Sequence, residues 1–403
     1  MKKKTAHKSR CSSLGIKTCY LVILVSCVQC GTHSDSQAEG GTDDAGDTQT
    51  TAGTEVERTS DLNIDSDSGT DSDRERETES ASDSSLDTGF DAGSDSGNEP
   101  QQCILPDIVE ECNDQWCRIE RGCYMFGSPQ TEAWDCRARY SEEQVQVQLT
   151  HSFLIQQTEV TQAQWTEAGF PVPYPAEDCE ECPISTIDWF DTLAYCNKLS
   201  IQEGLEPCYD LSTCSGTVGA GCLDDMCRLF DTFVCSGNVN RFASIYECPG
   251  YRLPTNAEWQ YAARAGTTTA TYVGDLENND GSLGDCIVDA TTDKIAWDCS
   301  NTELRPMPVA QKEKNAFGLY DMLGNVREWN ADPFLNTKLG GDEDYLVDPF
   351  GFTDDESKKN RVTSGGSYLD PSCQIRAATN GGRSSSVPYP HLGFRPVRTL
   401  FEE

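Results

Sequence analysis

With 67 acidic against 31 basic side chains in 403 residues, the chain carries a formal net charge of −36. A surface this acidic repels nucleic acid and anionic lipid headgroups, and it is compatible with bound cations. The length suits one large domain with accessory segments.

Met1–Lys17 hold six basic residues and no acidic ones. They lead into the apolar run Cys19–Val28, too short to span a bilayer and suited to a signal-peptide core. Leu24-Val25-Ser26-Cys27 resembles a bacterial lipobox, which makes residues 1–27 a lipoprotein signal peptide and Cys27 the lipidated residue. The plainer alternative is an ordinary signal peptide in which Cys27 is incidental. Val28 in place of Asp after that cysteine resembles outer-membrane sorting. The expected product is exported and lipid-anchored at the outer membrane, on its periplasmic or cell-surface side, held by an acyl anchor that does not span it.

Residues 28–100 are rich in Asp, Ser, Thr and Gly. Between Ser34 and Pro100 stand twenty acidic and three basic residues. Such a chain repels itself and has too few apolar side chains for a core, so it reads as a disordered tether.

Residues 101–403 keep a net charge of about −25 and contain seventeen of the cysteines. Downstream of an export signal, that density implies a disulfide framework, and the odd number leaves at least one cysteine over. Cys208, Cys214, Cys222, Cys227, Cys235 and Cys248 crowd a segment poor in apolar residues, a cysteine-rich insert over 208–248 that needs cross-links to keep its shape. Cys179-Glu-Glu-Cys182 could be half a zinc site, a redox motif or a local disulfide. The domain's two histidines, His151 and His391, are far from it in sequence, which favours the disulfide.

Val145, Val147 and Leu149 alternate with glutamines, the period of a half-buried strand, and a second strand-like stretch covers Ser152–Val160. Thr161-Gln162-Ala163-Gln164 has capping-box spacing, so a short helix carrying Trp165 begins there. Asp188 can cap a longer helix that ends before Gly204. Thr255-Asn256-Ala257-Glu258 is another capping box and opens a helix carrying Trp259, Ala262 and Ala263. The remainder is short segments punctuated by Gly, Asn, Asp and Pro. The residues alone point to a loop-rich α+β domain with two main helices.

Three stretches stand out: YRLPTNAEWQYAARAGT at Tyr251–Thr267, NAFGLYDMLGNVREW at Asn315–Trp329, and RVTSGGSY at Arg361–Tyr368, closed by HLGFR at His391–Arg395. With these motifs, about Gly127–Arg398 resembles the formylglycine-generating enzyme, or sulfatase-modifying factor, family. The resemblance implies a modified C-type-lectin-like fold, low in regular secondary structure, and oxidation of a cysteine in a sulfatase-type polypeptide to formylglycine.

Within Asp321–Glu328 two carboxylates flank a Gly-Asn turn, where side-chain and backbone oxygens can converge on a hard cation. The resemblance implies calcium, bound by the side chains of Asp321 and Glu328 and the carbonyls of Gly324 and Val326. The alternative is that both carboxylates only satisfy turn amides. Arg327 stands where the family usually has Trp.

In GGSYLDPSCQIR, Gly365–Arg376, the resemblance implies a copper site. Competent members carry a cysteine pair after GGS, and soft thiolates suit Cu(I). Here the first position is Asp370, and Cys373 is the one thiol that matches the second. Cys373 and Ser367 are the catalytic candidates; the competing roles are a disulfide half or spare thiol for Cys373 and a turn residue for Ser367. Gly381–Ser386, small and polar, would line the substrate cleft. Arg252, Glu258 and Arg264 read as a structural set. No His-x3-His-x-Glu ligand set, nucleophile elbow, P-loop or His-Glu-x-x-His occurs. A second reading is a non-catalytic C-type-lectin-like module, with the insert as variable loops and a protein or glycan as ligand.

Overall fold

The computed structural model describes residues 108–129, 132, 141–173, 179–221, 231–277, 286–350 and 359–401. The signal segment with Cys27, the acidic tether and part of the insert, residues 222–230, lie outside the described residues.

Local sequence rules account for the helices. Helix α1, Gln162–Glu167, has Thr161 as N-cap with the Gln164 side chain reaching back, the full capping box. Helix α2, Trp189–Gln202, is capped by Asp188 with Asp191 in the reciprocal role. Helix α3, Asn256–Arg264, uses Thr255 and Glu258 in the same way, and all nine of its residues are buried. A helix buried all round must neutralise its charges internally. Glu258 does so through Arg252, whose Nη1 and Nη2 each donate to it at 2.7 Å. Arg264 donates to the carbonyls of Gly127 and Thr269. The three residues tie the helix to its neighbours, the structural role that the resemblance implied. A fourth helix, α4, is the single turn Thr292–Ile295.

The strands assemble into small sheets. Strands β1, Cys112–Asn113, and β2, Trp116–Ile119, form a hairpin tied by the Cys112–Cys117 disulfide. They continue through β5 (Phe153–Gln156) and β14 (Val397–Thr399) to β8 (Tyr251–Arg252), so both ends of the domain share one sheet. The second strand-like stretch thus narrows to β5, because the chain bends at Gln157 and Thr158 on its way to the α1 cap. Strand β4, Val145–Leu149, buries its alternate residues between β3 (Gly122–Phe126) and β10 (Tyr345–Val347). A two-stranded pair in the insert joins β6, Cys214–Ser215, to β7, Val234–Cys235. A four-stranded sheet runs β12-β11-β9-β13: Asn380–Ser384, Asn360–Ser364, Arg327–Pro333 and Leu392–Gly393.

Two apolar clusters hold these layers. One centres on Trp259, Tyr261, Phe126, Phe153 and Leu319, the other on Trp165, Trp189, Trp329 and Phe394. Truncating any of these buried tryptophans costs about 3–5 kcal/mol.

The described disulfides are Cys112–Cys117, Cys179–Cys182, Cys208–Cys248, Cys214–Cys235 and Cys286–Cys299. The Cys-Glu-Glu-Cys motif is therefore a local cross-link. Cys208–Cys248 closes the insert at its base, with Cys214–Cys235 nested inside. Cys123 and Cys196 are buried thiols in no disulfide.

Candidate functional site

The turn before β9 is left-handed at Asp321 (φ +53°), Gly324 (+82°) and Asn325 (+53°). Glycine enters that region without steric penalty, and Asp and Asn tolerate it better than most residues. Gly324 has a second reason: a Cβ there would stand 2.5 Å from the Trp297 carbonyl oxygen. Asn325 pins the turn on two sides. Its side chain exchanges hydrogen bonds with both backbone groups of Met307, and its carbonyl accepts from Tyr368 N–H at 2.8 Å.

Glu328, the second residue of β9, joins three of the sequence signatures at one point. Its oxygens accept from Arg395 Nε at 2.8 and 2.9 Å, from Arg395 Nη2 at 2.7 Å and from Trp259 Nε1 at 2.8 Å. Arg395 spends its remaining donors on the carbonyls of Gln156, Gln157 and Tyr320.

Beside this pair lie two carboxylates with nothing comparable. Asp321 Oδ2 accepts from Ala310 N–H at 2.6 Å, but Asp321 Oδ1 and both oxygens of Glu159 are buried with no hydrogen-bond partner among the described residues. Burial, reinforced by the Asp321 charge, pushes Glu159 well above the carboxylate range. Burial likewise pushes Asp321 up to about 6 against the Ala310 hydrogen bond. Three acids thus surround one guanidinium. Buried carboxylate oxygens without partners are costly, and hard oxygens of this kind fit a calcium ion. The sequence reading missed Glu159, because no local pattern distinguishes an acid at a strand exit from a surface one.

The second constellation lies at the end of the β12-β11-β9-β13 sheet. Gly365 and Gly366 take φ values of +93° and +75°. A Cβ on Gly365 would meet the Met322 carbonyl at 2.9 Å and the Trp259 ring at 3.0 Å, so only glycine brings Ser367 here. Ser367 Oγ donates to Asp370 Oδ2 at 2.6 Å. Arg327 then grips Asp370 with two parallel bonds, Nε to Oδ2 at 3.0 Å and Nη2 to Oδ1 at 2.9 Å. Arg327 and Asp370, the two residues at which the resemblance implies Trp and Cys, are partners in one ion pair. Its side chains are 7% and 21% exposed. Burial works to raise the Asp370 carboxyl, but Arg327 and the Ser367 hydroxyl outweigh it and hold it below the usual range.

His391 lies against this pair, its carbonyl accepting from Arg327 N–H at 2.9 Å. Its Nδ1 is buried without a partner among the described residues, and burial, with Arg327 and Arg383 nearby, lowers its pKa to about 4. The imidazole is neutral at pH 7. Cys373 sits on the 3-10 turn Ser372–Gln374, 8% exposed, its carbonyl accepting from Arg376 Nε at 2.8 Å. The site therefore gathers Ser367, Asp370, Arg327 and His391, while calcium candidates Asp321, Gly324, Val326 and Glu328 lie on the turn leading into it.

Residues 105–400 match the model of the sulfatase-modifying factor enzyme 1-like domain. Among curated proteins, the chaperone protein LppX of Paenibacillus barcinonensis is 32% identical over 199 residues, covering 48% of this chain and 65% of the relative. The formylglycine-generating enzyme of Streptomyces coelicolor is 34% identical over 149 residues, covering 36% and 46%. The chain thus spans about half to two thirds of the length of these relatives. Among solved structures, the Treponema denticola variable protein 1 is 26% identical with a TM-score of 0.50, covering 71% of this chain and 95% of that one. PvdO from Pseudomonas aeruginosa, 20% identical with a TM-score of 0.50 and coverage of 71% and 94%, shares the fold. That fold is the loop-rich α+β one expected from the residues, and the modified C-type-lectin-like one that the family resemblance implied.

Proposed function

The chain belongs to the sulfatase-modifying factor enzyme 1-like family, and from that premise we propose that its domain is a binding module in which the cysteine-oxidising site has been rebuilt. The carrying observation is the Arg327–Asp370 pair. In place of a soft thiolate stands a hard carboxylate, with both oxygens already accepting from Arg327 and Ser367. The guanidinium also puts a fixed positive charge where Cu(I) would need two sulfur donors. Cys373 alone cannot supply a copper pair and also form a mixed disulfide with substrate. The residues present do not fit copper, and we derive no oxidative step through it. Ser367 acts as a turn residue that orients Asp370.

Calcium fits better. Asp321 Oδ1 and the two Glu159 oxygens would hold it with the carbonyls of Gly324 and Val326. Glu328 already accepts three N–H groups, so it adds negative charge rather than free oxygens. A calcium ion held there would balance buried charge and stiffen the turn that carries Arg327.

The proposed setting is an exported lipoprotein, acylated on Cys27 and held off the outer membrane by residues 28–100, with a protein or glycan as ligand. No helix among the described residues is long and apolar enough to cross a membrane. Incorporation of labelled palmitate that persists in Cys27→Ser would refute the anchor.

The full chain is incubated with Cu(I), oxygen and a Cys-x-Pro-x-Arg peptide, beside a formylglycine-generating enzyme as control. Mass spectrometry is expected to show conversion by the control alone. Conversion by this chain, lost in Cys373→Ser, would replace the binding reading with a rebuilt oxidase acting on a sulfatase-type polypeptide.

A further inference from the structure

Strand β12 lies at the edge of its sheet, paired among the described residues with β11 alone, and all five of its residues are half-buried. Over it, two guanidinium groups converge. A Cβ on Gly381 would stand 3.9 Å from Arg327 Nη1, 3.9 Å from Arg383 Nη1 and 3.7 Å from Thr363 Oγ1. Glycine leaves that volume vacant of side chain. Arg327 faces Asp370 with its Nε–Nη2 edge, which leaves Nη1 turned to the vacant side. Arg383 donates through Nη1 to the Gly382 carbonyl at 3.1 Å, and its Nε and Nη2 donate to nothing among the described residues. Its guanidinium lies 5.9 Å from the Tyr389 ring centre, which walls that side.

Two arginines against one aspartate leave one positive charge in a domain that is otherwise strongly acidic. Like-charged guanidiniums are held together at a cost that an anion between them removes. One net charge suits a planar carboxylate, which Arg recognises through paired N–H groups, better than a phosphate dianion, which would also face Asp370. A neutral or basic remainder suits the ligand, because the domain as a whole is strongly acidic. The edge of β12, unpaired among the described residues, offers backbone N–H and C=O groups to an extended chain, which favours a peptide over a sugar acid.

We propose that Arg327 and Arg383 clamp a carboxylate of an extended peptide laid along β12 above Gly381. This rests on the binding-module reading and names its ligand class. The carboxylate could come from a chain terminus or an acidic side chain, and the probes separate the two.

The full chain is titrated by calorimetry with N-acetyl-Ala-Ala-Gly as the free acid, the same peptide as C-terminal amide, and an amidated peptide carrying one Asp. Glucuronate and inorganic phosphate complete the set. The free acid, the Asp peptide or both should bind about ten-fold or more tighter than the plain amide, as charge-assisted pairing to Arg requires. Arg383→Gln should weaken that binding about ten-fold by removing one arm of the clamp. Gly381→Ala, whose methyl would sit at ordinary contact distances, should weaken it similarly with Tm unchanged. Equal affinity for acid and amide, insensitivity to both substitutions, or tighter binding of phosphate or glucuronate would overturn the proposal. Formylglycine production by the same preparation would instead remove the reading beneath it. No oxidation together with no carboxylate binding would refute the clamp alone.

Discussion

Removing Asp370 should strand a charge, and the size of that effect tests the ion pair directly. Asp370→Ala deletes both bonds to Arg327 and the bond from Ser367, leaving a guanidinium 7% exposed and close to Arg383. Breaking a buried pair costs about 3–5 kcal/mol; because Asp370 is 21% exposed and water can enter its place, the lower end applies. Arg327→Met leaves a carboxylate that still accepts from Ser367 and still reaches water, at about 2 kcal/mol. The double substitution strands no charge, so it should cost about 2–3 kcal/mol rather than the sum, a coupling of about 2–3 kcal/mol. Guanidinium denaturation at pH 7 with disulfides intact measures all four corners of the cycle. The folded Asp370 carboxyl lies below its ordinary value. Its contribution is therefore complete above the unfolded carboxylate value, about 3.9, and is lost as pH falls through the folded one. Additive costs, within about 0.5 kcal/mol, would mean that the pair behaves as a surface contact and would refute the argument for a rebuilt site.

Calcium at about one hundred times its Kd should raise stability by about 2.7 kcal/mol, and EDTA should reverse the gain. Glu159→Gln should stabilise the EDTA-treated protein, because a neutral amide replaces a buried carboxylate without partners, and should weaken the calcium response; a Tm indifferent to calcium would sink the site. His391, with a folded pKa of about 4 against an ordinary 6.5, refuses a proton that the unfolded chain accepts. Stability should fall as pH drops from 6.5 towards 4 and be complete above 6.5, and the imidazole's share is about 2 kcal/mol after allowing for its partial exposure. His391→Gln should remove that part of the slope, and parallel pH profiles for the two proteins would count against a buried neutral imidazole. Replacing Cys208 and Cys248 by Ser opens a separation of 40 residues, part of it already closed by Cys214–Cys235. The loss should be about 3 kcal/mol by loop entropy, and an unchanged denaturation midpoint would show the insert to be held by other means.

What the linear sequence determined was whatever local physics controls. Thr161, Asp188 and Thr255 marked helix starts because a cap side chain needs only the backbone N–H of the residue three positions on. The alternation in Val145–Leu149 announced β4, and Cys179-Glu-Glu-Cys182 announced a short cross-link. The motifs at Tyr251–Thr267, Asn315–Trp329, Arg361–Tyr368 and His391–Arg395 identified the family, and Arg327 and Asp370 could be seen as departures from it one at a time. That those two departures answer each other was decided only in three dimensions, since 43 positions separate them and the strands that bring them together are set by packing of the whole domain. The same holds for Glu159, whose significance depends on Asp321 and Arg395 being its neighbours, and for Arg383, which reaches Arg327 only across a sheet. Short-range hydrogen bonding and periodicity are written in consecutive residues. The balance of buried charge is a property of the folded environment, where each ionised group is stabilised or stranded by partners far away in the chain.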